Sequence, residues 1–178
     1  MKIGLDVSGG DFAPQATIDG ALLAKQVLGN DVTIVLFGDE LVIQKELASR
    51  AQSAELFEIV HAPEVITYHD HPTRALPKKP NSSIAVGFEM LAKGLIDVFA
   101  SNGNTGAMLV GSMYKLNTVP GVIRPCITST LPNIDGGKSL LLDVGSNADC
   151  KSDVLYQFAV LGSVYAANVL GIENPKVA

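Results

Sequence analysis

Three times along this chain an apolar, strand-like run passes into a short loop of glycine, serine, asparagine and aspartate that opens a helix, a pattern that few architectures accommodate. The runs are Lys2-Ile-Gly-Leu-Asp6 into Val-Ser-Gly-Gly-Asp11, Asp97-Val-Phe-Ala100 into Ser-Asn-Gly-Asn-Thr-Gly-Ala107, and Ser139-Leu-Leu-Leu-Asp143 into Val-Gly-Ser-Asn-Ala-Asp149. In a parallel sheet, loops that follow strands all emerge at the carboxyl edge, where open α/β folds bind ligands. The spacing therefore predicts three loops meeting at one site. In the middle loop, Gly103 and Gly106 permit a tight turn and close backbone approach, while the N–H groups of Thr105, Gly106 and Ala107 lie unsatisfied at the positive end of a helix dipole. Such a junction suits an anion, with phosphate the obvious guest. A capped turn without a ligand uses the same residue types.

Elsewhere the alternation continues. Strand-like runs at 2–7, 32–37, 56–61, 96–100, 122–131 and 139–144 are separated by helical patterns at about 14–28, 40–51, 83–93, 105–116 and 153–170. Gly29, Gly94 and Gly171 follow three of these helices where a left-handed C-cap belongs. The last two strands, joined by Pro132-Asn-Ile-Asp-Gly-Gly137, read as an antiparallel hairpin. The expected fold class is a three-layer α/β/α domain over residues 1–178 with a mostly parallel, mixed sheet. The apolar-rich stretch 154–170 reads as a buried helix. The chain closes on Glu173-Asn-Pro-Lys-Val-Ala178, which reads as a loop and the first residues of a strand, so a polypeptide truncated at its C-terminus is expected.

With 47% hydrophobic and 17% charged residues, disorder is excluded as the dominant state. Net charge is −5 and no run of five or six like charges occurs, so no nucleic-acid partner is expected; the absence of Trp removes the best stacking platform for bases. No leader or membrane span is read in the sequence, which points to the cytoplasm. Cys126 and Cys150 lack CxxC spacing and read as small core or loop residues. His69 and His71 supply two metal ligands without a third at metal spacing, so no metal site is expected. Neither GxGxxG after the first strand nor GxxxxGK[ST] is present, which disfavours a nucleotide-dependent oxidoreductase, and no cofactor is expected.

Taken in order, Asp6-x-x-Gly-Gly-Asp11-x-Ala-Pro14, Lys79-x-x-x-Ser83, Ser101-x-Gly-Asn-Thr-Gly-Ala107, Arg124-Pro125 and Leu142-Asp-x-Gly-x-Asn147-x-Asp149-Cys-Lys151 resemble the PlsX family of bacterial phosphate acyltransferases across residues 2–178. Departures are small: Val7-Ser8 stands where the family more often has Ala-Met, Asn102 where it has Ala or Gly, Ser146 where it has Ala, and Pro77 and Pro80 flank Lys78-Lys79. The resemblance implies a fold similar to isopropylmalate dehydrogenase and phosphate acetyltransferase. It implies transfer of a fatty acyl group from an acyl carrier protein thioester to inorganic phosphate, giving acyl phosphate for a downstream glycerol-3-phosphate acyltransferase of phospholipid synthesis. It also implies a homodimer, a second half of the protein carrying further catalytic residues, and peripheral association with the inner face of the membrane through that half. A phosphate acetyltransferase-like enzyme and a non-catalytic phosphate-binding fragment are the alternatives.

A thioester is already activated, so phosphate attacks it directly and the protein's task is positioning and charge stabilisation. Asn104, Thr105 and the backbone from Gly103 through Gly106 to Ala107 suit phosphate, with Ser101 adding a hydroxyl; capping is the alternative for Asn104 and Thr105. Arg124, in a strand, either clamps phosphate or pairs with Asp6 or Asp143. Asp6, Asp11 and Asp143 are expected to orient loop N–H groups, beside Gly9, Gly10, Gly145 and Asn147 of the same loops, because ionised carboxylates repel phosphate. Lys79 and Ser83 either extend the anion site and meet the acidic carrier protein, or form a solvated loop with a helix N-cap.

Overall fold

Ile34-Val35-Leu36-Phe37 is apolar at four successive positions, which a strand tolerates only when both of its faces are covered. The computed structural model of the chain describes residues 1–29 and 31–178 and places that run at the heart of a parallel sheet. The backbone gathers into two compact units, Met1–Asn117 and Thr118–Ala178.

The first unit runs β1 (Lys2–Asp6), α1 (Gln15–Leu28), β2 (Thr33–Gly38), α2 (Glu40–Ser49), a 3-10 turn at Ala54–Leu56, β3 (Glu58–His61), α3 (Pro72–Lys78), α4 (Ser83–Ala92), β4 (Val98–Ala100) and α5 (Thr105–Leu116). All four strands are parallel in the order β3-β2-β1-β4. Side chains alternate across a strand, so Ile34 and Leu36 join Ile18 and Ala21 of α1 and Ile43 and Leu47 of α2 on one face. Val35 and Phe37 join Ile96, Val86 and Met90 on the other, beneath α4. The expected three layers and helix positions are present, and Gly29, Gly94 and Gly171 each adopt φ of 66–67°.

Helix α3 was not anticipated. It is one short helix between Pro72 and Lys79, with Pro77 inside it, and two prolines in seven residues conceal a helical pattern. Its Ala75 completes a second core with Ile66, Ile84, Phe88 and Ala107. Phe99 of β4 meets Phe37 and Phe88 edge-on at centroid distances of 5.6 and 5.4 Å, fastening α4 to the sheet.

The second unit contains β5 (Thr128–Pro132), β6 (Lys138–Leu142) and α6 (Ser152–Asn168). β5 and β6 form the expected antiparallel hairpin. Pro125 shortens the strand expected at 122–131, which begins only at Thr128. α6 buries one stripe, Val154, Phe158, Gly162 and Ala166, with Gly162 facing Leu142; Leu155, Val160, Val164 and Val169 are exposed, so the helix is half-buried and not buried throughout. Among the described residues no helix is long and apolar enough to cross a membrane.

Gly87 of α4 lies directly over the Phe99 ring, and a Cβ there would overlap the ring. Mid-helix Gly→Ala ordinarily stabilises by about 1 kcal/mol. Here overpacking reverses the sign: Gly87→Ala is expected to destabilise by about 1–3 kcal/mol in urea titration. A stabilised variant would show that Phe99 has room to move aside.

Candidate anion site

After β1, β2 and β3 the chain has stepped outward in one direction, and β4 then pairs on the other side of β1. The carboxyl ends of β1 and β4 are therefore the point where strand order reverses, the position at which open α/β sheets leave a crevice. Two of the three glycine-rich loops leave from there. Asp6, 1% exposed, closes β1; its carboxylate accepts the N–H of Ser8 at 2.9 Å and the hydroxyl of Ser101 at 2.6 Å, and Ser101 Oγ in turn accepts the Gly103 N–H at 2.9 Å. A carboxylate without a proton makes Ser101 the donor, so that hydroxyl is directed at Asp6 and not at a phosphate. A Cβ on Gly9 would stand 2.6 Å from Gly103 N and 2.8 Å from Gly103 Cα, so both backbones touch there. Gly10 has φ of 115°, and Asp11 is exposed. Gly9, Gly10, Asp11, Phe12, Tyr68 and Asn102 help to line a cavity of about 260 Å³ beside this contact.

Asn104 is 6% exposed and caps α5: its Oδ1 accepts the Ala107 N–H at 2.9 Å, while Nδ2 donates to the carbonyls of Thr67 at 2.9 Å and Asp70 at 3.1 Å. Its side chain is fully used, which leaves it no donor for a ligand. The N–H groups of Thr105 and Gly106 and the Thr105 hydroxyl have no protein partner among the described residues, and Thr105 is exposed. These donors are open at the start of α5. Pro72 packs against Gly106 on one side.

Lys79 does not reach toward the loop as a free cation. Its ammonium donates to Asp70 at 2.6 Å and to the Val65 carbonyl at 2.8 Å. Lys79, together with the backbone N–H and hydroxyl of Thr67, holds the Asp70 carboxyl down at about 2. Ser83 is buried in the first turn of α4, and the cap is its neighbour Ser82, whose Oγ accepts the Ala85 N–H. Asp70, Thr67 and Tyr68, whose hydroxyl donates to the Asn102 carbonyl at 3.0 Å, are the residues near this loop that sequence reasoning missed; polar loop residues some 35 positions away carry no sequence signal of the contact.

The third loop belongs to the second unit. There Asp143 gathers the N–H groups of Ile127 at 2.6 Å, Ser146 at 2.9 Å and Asn147 at 2.6 Å, with the Ser146 hydroxyl at 2.7 Å. Burial pushes this carboxyl up, but those hydrogen bonds outweigh it and hold it at about 2. Asn147 also donates to the Pro125 carbonyl, and Gly145 turns with φ of 83°. Arg124 lies ahead of β5 and not in a strand; it donates to the Asp149 carbonyl at 3.2 Å, and Asp143 is filled by other donors. Burial, then the Asp143 charge, push the neighbouring Cys126 thiol up. Among the described residues no three of His, Cys, Asp and Glu gather as metal ligands; His61 instead accepts the Glu40 N–H at the start of α2.

A parallel α/β sheet with a small-residue loop and open helix donors at its switch point is the geometry of a candidate anion site. The model of the fatty acid synthesis protein family matches residues 1–178, and the chain belongs to that family. It is 47% identical over 177 residues, 99% of its length, to a phosphate acyltransferase of Desulforamulus reducens, and 42% identical over 177 residues to one of Herpetosiphon aurantiacus, covering 52% and 47% of those proteins. The chain thus spans about half the length of these curated relatives. In fold it is similar to the EutD phosphotransacetylase of Staphylococcus aureus, with a TM-score of 0.63 at 18% identity over 93% of this chain and 52% of that one.

Two substitutions test this geometry. Gly9→Ala should force the first two loops apart and cost about 1–3 kcal/mol in chemical denaturation. For Asp143, a folded value depressed to about 2 from the usual 3.8 means that its contribution is fully present above pH 3.8 and disappears as pH falls toward 2. Asp143→Asn should destabilise by about 1–3 kcal/mol at neutral pH and flatten the acid limb of a pH-stability curve, and an unaltered acid limb would place the acid sensitivity elsewhere.

Proposed function

We propose that this chain carries the phosphate-binding portion of an acyltransferase that moves a fatty acyl group from an acyl carrier protein thioester to inorganic phosphate. The observation that carries the reading is the open N-terminus of α5, where the Thr105 and Gly106 N–H groups and the Thr105 hydroxyl converge without protein partners among the described residues, while the nearby Asp6 carboxylate is turned inward onto Ser8 and Ser101. An anion entering there meets the positive end of the dipole and no exposed charge from Asp6. Phosphate held by neutral donors keeps its nucleophilicity. One phosphate oxygen attacks the thioester carbonyl, the carbon–sulfur bond breaks, and the thiolate leaves with the electron pair and takes up a proton, yielding acyl phosphate and the free carrier thiol. The protein offers no intermediate nucleophile in this scheme; positioning supplies the rate.

Ser101 and Asn104 serve this site as loop organisers, and Thr105 is the side chain that touches phosphate. Support for the acyl donor comes from the relatives named phosphate acyltransferase and from the family's tie to fatty acid synthesis. The product would feed a glycerol-3-phosphate acyltransferase in phospholipid synthesis, and the working form would be a cytoplasmic homodimer with peripheral contact to the membrane.

Incubating the full-length version, with its second half present, with acyl carrier protein thioester should release thiol only when phosphate is present. Thr105→Val should raise the phosphate concentration for half-maximal rate about tenfold, the value of one lost hydrogen bond to a charged group. Thiol release independent of phosphate would identify a thioesterase instead, and an unchanged phosphate requirement in Thr105→Val would remove that residue from the site.

A further inference from the structure

Between β3 and α3 the chain crosses in front of α5 as an irregular segment, residues 62–71, that touches the phosphate loop on both sides of Gly103. Ile66 anchors it, buried against Ile84, Phe88 and Ala107. Ahead of Gly103, the Tyr68 hydroxyl donates to the Asn102 carbonyl at 3.0 Å; behind it, the Thr67 and Asp70 carbonyls receive both hydrogens of the Asn104 amide. For two carbonyls three residues apart to face one amide, the chain between them must curl. Asp70 makes it curl: one oxygen, Oδ2, accepts the Thr67 N–H at 2.7 Å, the Thr67 hydroxyl at 2.9 Å and the Lys79 ammonium at 2.6 Å. Lys79 is itself fixed from α3 and bonds the Val65 carbonyl, so both ends of the curl are held.

We infer that Asp70, latched by Lys79, is a positioning residue for phosphate: it shapes the 67–70 turn so that Asn104 is held in the one orientation that caps α5 and leaves the Thr105 and Gly106 N–H groups open. The inference rests on the proposed phosphate site. The Asn104 amide has no freedom in this arrangement, because carbonyls demand its NH₂ and the Ala107 N–H demands its oxygen. Without the curl, the amide loses its two acceptors, rotates, and competes for the donors that phosphate needs. Lys79 acts through Asp70 and not on the ligand, which gives the cation a task that leaves the anion site electrically neutral. Tyr68 steadies the same loop from the other side and walls the adjacent cavity.

Titration calorimetry with inorganic phosphate tests this on the intact chain. Asp70→Asn should weaken phosphate about tenfold, as should Asn104→Ala, and the double variant should bind no more weakly than Asn104→Ala alone, because one residue acts through the other. Exchange of the Ala107 amide proton should quicken in Asp70→Asn while the buried amides of β2 keep their protection. Tyr68→Phe, an exposed change that leaves the core intact, should weaken phosphate by about threefold. Wild-type phosphate affinity in Asp70→Asn, or losses that multiply in the double variant, would overturn the inference while the phosphate site stands. Absence of any phosphate binding by the unmodified chain would overturn both.

Discussion

Everything at the switch point depends on one buried carboxylate. Asp6 sits at the end of a central strand with almost no solvent contact, and an ionised group there is tolerable only if donors surround it. It obtains them from its own loop through Ser8 and from the β4 loop through Ser101, 95 residues away. Satisfying Asp6 therefore fixes where the second loop must lie, and Ser101 passes the constraint on to Gly103. With the loops in backbone contact at Gly9 and Gly103, the start of α5 has one place to be.

The same arithmetic separates the groups that build the site from those that remain free to act. Ser101, Asn104, Lys79 and Asp6 are polar residues whose bonding is used inside the protein. Their collective product is a small set of neutral donors left open at a helix terminus. An anion bound there, as we propose, would meet oriented dipoles, with the Asp6 carboxylate turned onto Ser8 and Ser101 and the Lys79 ammonium paired with Asp70. Strong neutralisation by a lysine would bind phosphate and blunt it as a nucleophile; oriented N–H groups would hold it without removing its charge.

Asp143 in the second unit uses the motif differently. Like Asp6 it closes a strand and collects loop N–H groups, but its partners lie only 3 to 16 residues away. Asp6 joins distant segments, whereas Asp143 shapes its own loop. This local bonding depresses its ionisation to about 2 even against the burial that raises it.

Much of the fold was legible in the sequence because its signals are local. Alternating strand and helix periods, glycines after helices and the Gly-Gly turn of the hairpin each reflect the conformational preferences of neighbouring residues. The junction from β4 into α5 was legible for the same reason, since an apolar strand followed by small residues and a helix start is a contiguous pattern. Three things were decided only by the tertiary structure. Helix α3, broken in pattern by Pro72 and Pro77, forms because Ala75 has a core to enter. Strand β5 starts only at Thr128, because the Pro125 carbonyl and the Ile127 N–H bond Asn147 and Asp143 of the third loop. Most of all, the sequence named Asn104, Ser101 and Lys79 as polar residues suited to an anion but could not say which of their hydrogens were free. A donor's availability depends on whether an acceptor stands beside it, and the acceptors here, Asp6, Thr67 and Asp70, arrive from 9 to 95 residues away.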